Sequence, residues 1–177
     1  MQKINIKDLT KVYNAGNGLN MSWQEATEYV TEKKYNRYSL NIEPPYQRGL
    51  CWTEEQKVAY VEYRLKGGVN GRHIYLNCPN YRSSNIGNDD WSRTFEVVDG
   101  KQRLTAVAEF MQDKIKVFGG YVASELDMYD TDADFIFVIE NYKNKKEVVE
   151  WYLSMNTGGT NHTPADIKIA TEYMSSL

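Results

Sequence analysis

The sequence TFEVVDGKQRLTAVAEFM, at residues 94–111, joins a strand pattern directly to a helix pattern. Residues 94–98 are rich in β-branched and aromatic side chains, which favour a strand. The strand pattern stops at Asp99-Gly100, and apolar residues then recur at the i, i+3, i+4, i+7 spacing of an amphipathic helix. Those apolar residues are Leu104, Val107, Ala108 and Met111. A strand that enters a helix through one glycine predicts a domain that mixes α and β structure.

Outward from this junction, strand and helix patterns alternate loosely along the chain. Strands are expected at residues 38–42, 73–76 and 134–139, with a long polar loop at 77–92. Four further helices are predicted from their N-cap residues, two of which open capping boxes. These N-cap residues are Ser22, Thr53, Asn144 and Thr163. The pattern indicates one domain of mixed α and β structure.

Composition limits the class of protein. The chain has 177 residues and a net charge of -3, and this length supports one domain with its own core. The mild acidity argues against a sequence-independent DNA coat. Two cysteines and two histidines do not have the spacing of a tetrahedral zinc site, and we expect no zinc, haem or flavin. Since no signal-peptide core and no membrane-length apolar run is present, we expect a cytoplasmic location.

The first of three polar clusters is Tyr46-Gln47-Arg48, just before the second predicted helix. The Arg48 guanidinium is a planar fork of donors that suits phosphate or carboxylate. An ion pair between Arg48 and a nearby carboxylate, such as Glu43 or Glu54, is the alternative. On this cluster alone, the ion pair is the simpler interpretation.

The second cluster is Asp99-Gly100-Lys101-Gln102-Arg103, at the start of the helix in residues 94–111. Free backbone N–H groups at a helix N-terminus attract anions, and Lys101 and Arg103 add full positive charges there. This favours a phosphate ligand, with Asp99 binding a metal ion or positioning a water molecule. The alternative is that Asp99 is only the N-cap and the basic side chains are solvated.

The third cluster is Asn156-Thr157-Gly158-Gly159-Thr160, after the helix capped by Asn144. Two glycines let the backbone approach a ligand closely, and the Thr and Asn groups can donate to phosphate. Because helices commonly end at glycine, a C-cap followed by a loop is the alternative.

Taken in order, the clusters form I-x-P-x-Y-Q-R-x-x-x-W at 42–52, V-D-G-K-Q-R-L-T at 98–105 and M-N-T-G-G-T at 155–160. This series resembles the N-terminal domain of GmrSD-type modification-dependent restriction enzymes, a branch of the ParB/sulfiredoxin-like superfamily. The resemblance implies an α+β fold with a small mixed sheet and surrounding helices. We expect a single compact domain of this kind over residues 1–177, with an N-terminal helical extension at 1–36.

The resemblance also implies a nucleotide pocket between the clusters, and most directly the hydrolysis of nucleoside triphosphates. It implies catalytic roles for Asp99, Gln102 and Arg103, with Asp99 as the candidate ligand of a Mg²⁺ cofactor. Lys101 stands where the family's D-G-Q-Q-R motif usually has its first glutamine, and it keeps a phosphate-compatible charge. The residues implied to bind nucleotide or phosphate are Tyr46, Gln47, Arg48, Gly100, Lys101, Arg103, Asn156, Thr157, Gly158, Gly159 and Thr160.

Two other functions stay open at this point. One is a ParB-like DNA endonuclease or nickase, and the other is a non-enzymatic module that binds a host or phage partner protein or modified DNA. Full-length relatives often add a C-terminal nuclease domain of His-Asn-His type, whereas His73 and His162 lie in the wrong contexts for one. The expected partners are therefore a nucleoside triphosphate, DNA, and a separate nuclease or host protein chain, in a bacterial or phage-infected cell and without a membrane.

Overall fold

The computed structural model describes residues 17–35, 38–81, 83, 89–128, 133–155 and 162–177. The helices in these ranges are α1 (Trp23–Glu32), α2 (Glu54–Leu65), α3 (Lys101–Met111), α4 (Lys145–Ser154) and α5 (Pro164–Ser175). The strands are β1 (Asn17–Ser22), β2 (Lys34–Tyr35), β3 (Tyr38–Asn41), β4 (His73–Asn77), β5 (Thr94–Asp99) and β6 (Asp134–Glu140). None of these helices is long and apolar enough to cross a membrane.

The strands form one mixed sheet in the order β1-β6-β4-β5-β3-β2. The pairs β4–β6 and β3–β5 are parallel, and β1–β6, β4–β5 and β2–β3 are antiparallel. A mixed sheet with surrounding helices confirms the predicted α+β fold. On the central pair, Tyr75 of β4 lies opposite Asp99 of β5, next to a register shift between Tyr75 and Leu76. The sheet therefore brings the end of β5 beside the beginning of β4.

Successive side chains of β5 enter two different cores, because side chains alternate across a strand. Phe95 and Val97 join the larger core, which packs α1, α2 and α3 against one face of the sheet. Val98 joins a second core, built mainly from α4 and α5 on the other face. Glu96 lies on this second side, where its carboxylate accepts from Lys145 of α4. The sheet thus lies between two helical layers.

The predicted N-caps are confirmed at the starts of four helices. Ser22, Thr53 and Thr163 each form a capping box, and the Asn144 side chain accepts from the Lys146 amide. These caps satisfy N–H groups that have no partner inside the helix. Local sequence therefore determined where these helices begin.

The sequence prediction missed strand β1, since it expected only a helical extension at residues 1–36. In the described part of that segment, β1 pairs along its whole length with β6, from Asn17 opposite Ile139 to Ser22 opposite Asp134. Helix α1 then buries Trp23 in the larger core. This segment is therefore an integral part of the sheet and the core. The strand pattern of residues 17–22 is weak on its own, so this strand depends on its pairing with β6.

Candidate functional site

A cleft of about 680 Å³ opens where β5 ends and α3 begins. It combines the first polar cluster, from the loop before α2, with the second cluster at the start of α3. The predicted site residues that line it are Gln47, Arg48, Asp99, Gly100, Lys101, Gln102 and Arg103. The structure therefore brings these seven residues of the two clusters together at one cleft.

Gly100 makes the tight junction between β5 and α3. Its φ of 103° lies in the left-handed region, and a Cβ there would lie 2.5 Å from Ile74 Cδ1 and 3.3 Å from Ile74 Cα. Gly100 is also the N-cap of α3, which has no side-chain cap. The interpretation of Asp99 as a mere N-cap is therefore wrong. The first turn of α3 presents backbone N–H groups without a capping side chain.

Asp99 instead pairs with Arg103 one turn along α3. Arg103 Nη2 lies 2.6 Å from Asp99 Oδ2, and the Asp99 side chain is 48% exposed while that of Arg103 is 18% exposed. A Cβ on Gly71 would lie 3.3 Å from Arg103 Cδ, so the turn before β4 packs against the arginine. Arg103 is held in place between this turn and Asp99, and its charge is only partly screened by water.

Arg48 reaches across the cleft to the last helix. Its Nη1 lies 3.2 Å from Asp166 Oδ2, and the Arg48 side chain is 23% exposed. Burial alone raises the pKa of the Asp166 carboxyl, but hydrogen bonds from Thr163 and the charges of Arg48 and His162 hold this pKa below its ordinary value. The local ion pairs expected from the sequence, with Glu43 or Glu54, are replaced by this long-range one.

Lys101 supports the backbone of Arg48 through a hydrogen bond. The buried Lys101 Nζ donates to the Arg48 carbonyl over 3.3 Å and lies 3.5 Å from Glu43 Oε1. Lysine at this motif position therefore holds the backbone of the first cluster while its charge stays beside the cleft. A glutamine in its place carries no charge and would not form the ion pair with Glu43.

Two glutamines fasten the first cluster to the β5–α3 junction. Gln47 Nε2 donates to the carbonyls of Val97 and Val98 over 2.5 and 2.7 Å. Gln102 Oε1 accepts from the amides of Cys51 and Trp52, and its Nε2 donates to the Gly49 carbonyl. Because both ends of the Gln102 amide hold the loop, Gln102 positions the first cluster, and the catalytic role implied by the resemblance stays a prediction.

Tyr46, implied to bind nucleotide, does not line the cleft. It is fully buried in the second core, where its ring lies 5.3 Å from that of Tyr152 and 5.9 Å from that of Tyr173. Burial, and then the neighbouring Glu96 carboxylate, raise the pKa of Tyr46 well above its ordinary value. Tyr46 anchors the polar cluster through its ring, and its assignment as a phosphate ligand is corrected.

Residues 27–136 match the family model for the GmrSD restriction endonuclease, N-terminal domain. The chain belongs to this family. The match contains the first two polar clusters and confirms the resemblance drawn from the sequence motifs, and membership connects the chain with restriction-type DNA biology. No curated protein and no solved structure shows a significant match to the chain.

The cleft of this GmrSD N-terminal domain also contains residues that sequence reasoning missed. Both histidines of the chain, His73 and His162, line it, although neither lies in a recognisable motif. They are brought there by β4 and by the start of α5, so no local signal could have found them. The other missed lining residues are Tyr60, Tyr63, Asn70, Gly71, Tyr75 and Tyr152. Three further lining residues, Trp52, Val98 and Met155, belong to the quoted motifs but had been given no role.

His162 lies against Tyr152 on the α4 side of the cleft. Their rings are 4.3 Å apart, and the Tyr152 hydroxyl lies 3.3 Å from His162 Nδ1. Burial, followed by the charge of Asp166, raises the pKa of Tyr152 to about 12. Tyr152 therefore stays protonated at neutral pH and can donate to the histidine.

The third polar cluster, Asn156 to Thr160, lies outside the described residues and beyond the matched range 27–136. Its neighbours on both sides, Met155 and His162, line the cleft. The role of this cluster in phosphate binding stays a prediction.

Few of the described side chains in the cleft could act as metal ligands. Among the described residues, no three His, Cys, Asp or Glu side chains lie together as a metal site, and Asp99 is the one carboxylate in the described lining of the cleft. Mg²⁺ in nucleotide sites is commonly held by one or two carboxylates together with substrate phosphates. A half-exposed Asp99 fits that arrangement.

Proposed function

We propose that this GmrSD N-terminal domain binds a nucleoside triphosphate in the cleft and hydrolyses it. The observation that carries the proposal is the convergence of two arginines, Arg48 and Arg103, on a cleft that also receives the uncapped start of α3. Both arginines are mostly withdrawn from water. Partly buried positive charges beside helix N–H groups favour a polyanion such as a triphosphate.

The arginines have donors to offer a phosphate. Each ion pair, with Asp166 or with Asp99, uses one terminal nitrogen of a guanidinium that carries five N–H donors. A phosphate can therefore add to the arginines without breaking these ion pairs. The carboxylates preorganise the two side chains, which lowers the entropy that binding would otherwise cost.

The same arrangement supports hydrolysis of the bound nucleotide. Phosphoryl transfer depends on positioning and on neutralising charge more than on covalent chemistry. Arg48 and Arg103 would neutralise phosphate oxygens, and Asp99, at the exposed edge of the cleft, would orient the attacking water. Alternatively, Asp99 would hold a Mg²⁺ ion together with the phosphates, and the ion would supply further charge neutralisation.

The test is calorimetric titration of the domain with ATP, GTP, CTP and UTP in the presence of Mg²⁺, followed by an assay for released phosphate. Arg103→Ala is expected to weaken binding by about 10- to 100-fold, because it removes charge-assisted hydrogen bonds. Lys168→Ala is the control, since Lys168 is an exposed cation on α5 outside the cleft.

Circular dichroism and a thermal melt show whether Arg103→Ala keeps the fold. Binding that persists unchanged in a folded Arg103→Ala variant contradicts the proposed site. Absence of binding to all four nucleotides contradicts the proposed function, and favours a module that binds DNA or a partner protein.

A further inference from the structure

We infer that the aromatic wall formed by Trp52, Tyr60 and Tyr63, with Asn70 at its edge, is a nucleobase-binding subsite of the cleft. The inference rests on the proposed function, because it places the base of the same nucleotide whose phosphates meet the arginines. All four residues line the cleft. The name "aromatic wall" is used below for Trp52, Tyr60 and Tyr63.

Two members of the aromatic wall are fixed before any ligand arrives. The Trp52 and Tyr60 rings lie 5.5 Å apart at an angle of 59°. The Trp52 amide donates to Gln102 Oε1, and the Tyr60 hydroxyl donates to the Gly71 carbonyl over 2.8 Å. A rigid aromatic surface binds a flat ligand at low entropic cost.

Tyr63 is the solvent-exposed member of the aromatic wall. It is 41% exposed although its ring packs tightly on Gly68, where an added Cβ would lie 2.4 Å from the ring. Its hydroxyl accepts from the backbone N–H of Asn70 over 3.3 Å. A large exposed ring that is held in place is suited to stacking with a base, since every base has a π face.

The aromatic wall adjoins the phosphate end of the cleft. Gly71, which Tyr60 holds through its hydroxyl, packs against Arg103 Cδ. A triphosphate at Arg103 would therefore place its ribose and base toward α2. The backbone N–H of Asn70 holds this residue beside Tyr63. Its side-chain amide carries both donors and an acceptor, the groups that match the edge of a nucleobase.

The opposite side of the cleft is less suited to the base. Tyr152 is 5% exposed, and its ring is already covered by His162 and Tyr46. Tyr75 packs against His73 and against Trp151. Among the described tryptophan and tyrosine residues that line the cleft, Tyr63 on α2 is the most exposed, and this assigns the base to the aromatic wall.

The experiment compares nucleoside triphosphates with inorganic tripolyphosphate, which carries the phosphates without a base. For the unaltered domain, at least one nucleotide is expected to bind more tightly than tripolyphosphate. Tyr63→Ala is expected to weaken nucleotide binding by about 5- to 100-fold, the range for loss of one stacking ring, and to leave tripolyphosphate binding unchanged. Tyr63→Phe keeps the ring and is expected to keep the affinity. Tyr121→Ala, which removes an exposed tyrosine outside the cleft, is the matched control.

Tryptophan fluorescence provides a second measurement. The nucleotide is expected to quench Trp52 emission, tripolyphosphate is not, and Trp52→Phe is expected to remove the quenching. Nucleotide binding that depends on Arg103 but not on Tyr63 overturns this inference and leaves the proposed function standing. Failure of both nucleotide and tripolyphosphate to bind overturns the two together.

Discussion

Arg48 Nη1 lies 3.2 Å from Asp166 Oδ2, and this ion pair joins residues 118 positions apart in the sequence. It ties the loop before α2 to the first turn of α5. The same Asp166 carboxylate accepts from the Thr163 amide over 2.8 Å in the capping box of α5. One buried carboxylate therefore starts a helix and orients a cleft arginine.

The Asp166 carboxylate should make the free energy of unfolding depend on pH in the acid range. Its folded-state pKa is lowered, so its contribution is present above the unfolded pKa of about 4 and is lost as pH falls through the folded pKa. Asp166→Asn is expected to cost about 1 kcal/mol of unfolding free energy at pH 7. Urea unfolding should show this difference shrinking between about pH 5 and pH 3. Glu172→Gln, on the exposed side of α5, should show no such trend, and a difference independent of pH would contradict the assignment.

Gly100→Ala should destabilise the junction between β5 and α3. The left-handed backbone is expected to cost alanine about 1–2 kcal/mol of unfolding free energy, and overlap with Ile74 a further 1–3 kcal/mol or so. Gly119→Ala is a matched control, because Gly119 also has a left-handed φ, of 82°, but has nothing within 4 Å of the added Cβ. Urea unfolding should therefore show a larger loss for Gly100→Ala. Equal losses would mean that the Ile74 contact is unimportant.

Gln102→Ala should loosen the loop that carries the first polar cluster. The substitution leaves the amides of Cys51 and Trp52 without their side-chain acceptor. Hydrogen exchange at these two amides is expected to accelerate while the amides of α3 keep their protection. Gln24→Ala, which removes an exposed glutamine on α1, is the control. Unchanged exchange at residues 51 and 52 would be evidence against the positioning role.

Lys145→Met should destabilise the protein, because it removes the ion-pair partner of the buried Glu96 carboxylate. Lys145 Nζ lies 2.5 Å from Glu96 Oε2, the Glu96 side chain is 1% exposed, and Trp91 Nε1 donates to the same oxygen over 3.0 Å. Removing one partner of a buried pair leaves an uncompensated charge, so we expect a loss of about 3 kcal/mol in thermal or urea unfolding.

The exposed pair of Lys168 and Glu172 provides the comparison for this prediction, and Lys168→Met should change stability by less than about 1 kcal/mol. The double variant Glu96→Gln with Lys145→Met should recover part of the loss. A cost for Lys145→Met no larger than that for Lys168→Met would show that the buried pair contributes little.

The sequence alone determined the features that depend on neighbours a few residues apart. The N-caps at Ser22, Thr53 and Thr163 were predictable because each cap and its partner lie within one helical turn. The passage from β5 through Gly100 into α3 was predictable for the same reason. The motifs around Arg48 and Arg103 were also sufficient to identify the family.

Only the tertiary structure decided which side chains meet. Strand β1 exists because β6, far along the chain, supplies its hydrogen bonds. Arg48 pairs with Asp166, whereas the sequence favoured an ion pair with a carboxylate nearby in the chain. Tyr46, predicted to bind nucleotide, is buried in the core. Such contacts depend on the order of strands in the sheet and on which helix covers which face. Local periodicity carries no information on either, so the aromatic wall and the cleft histidines emerge only when the chain is folded.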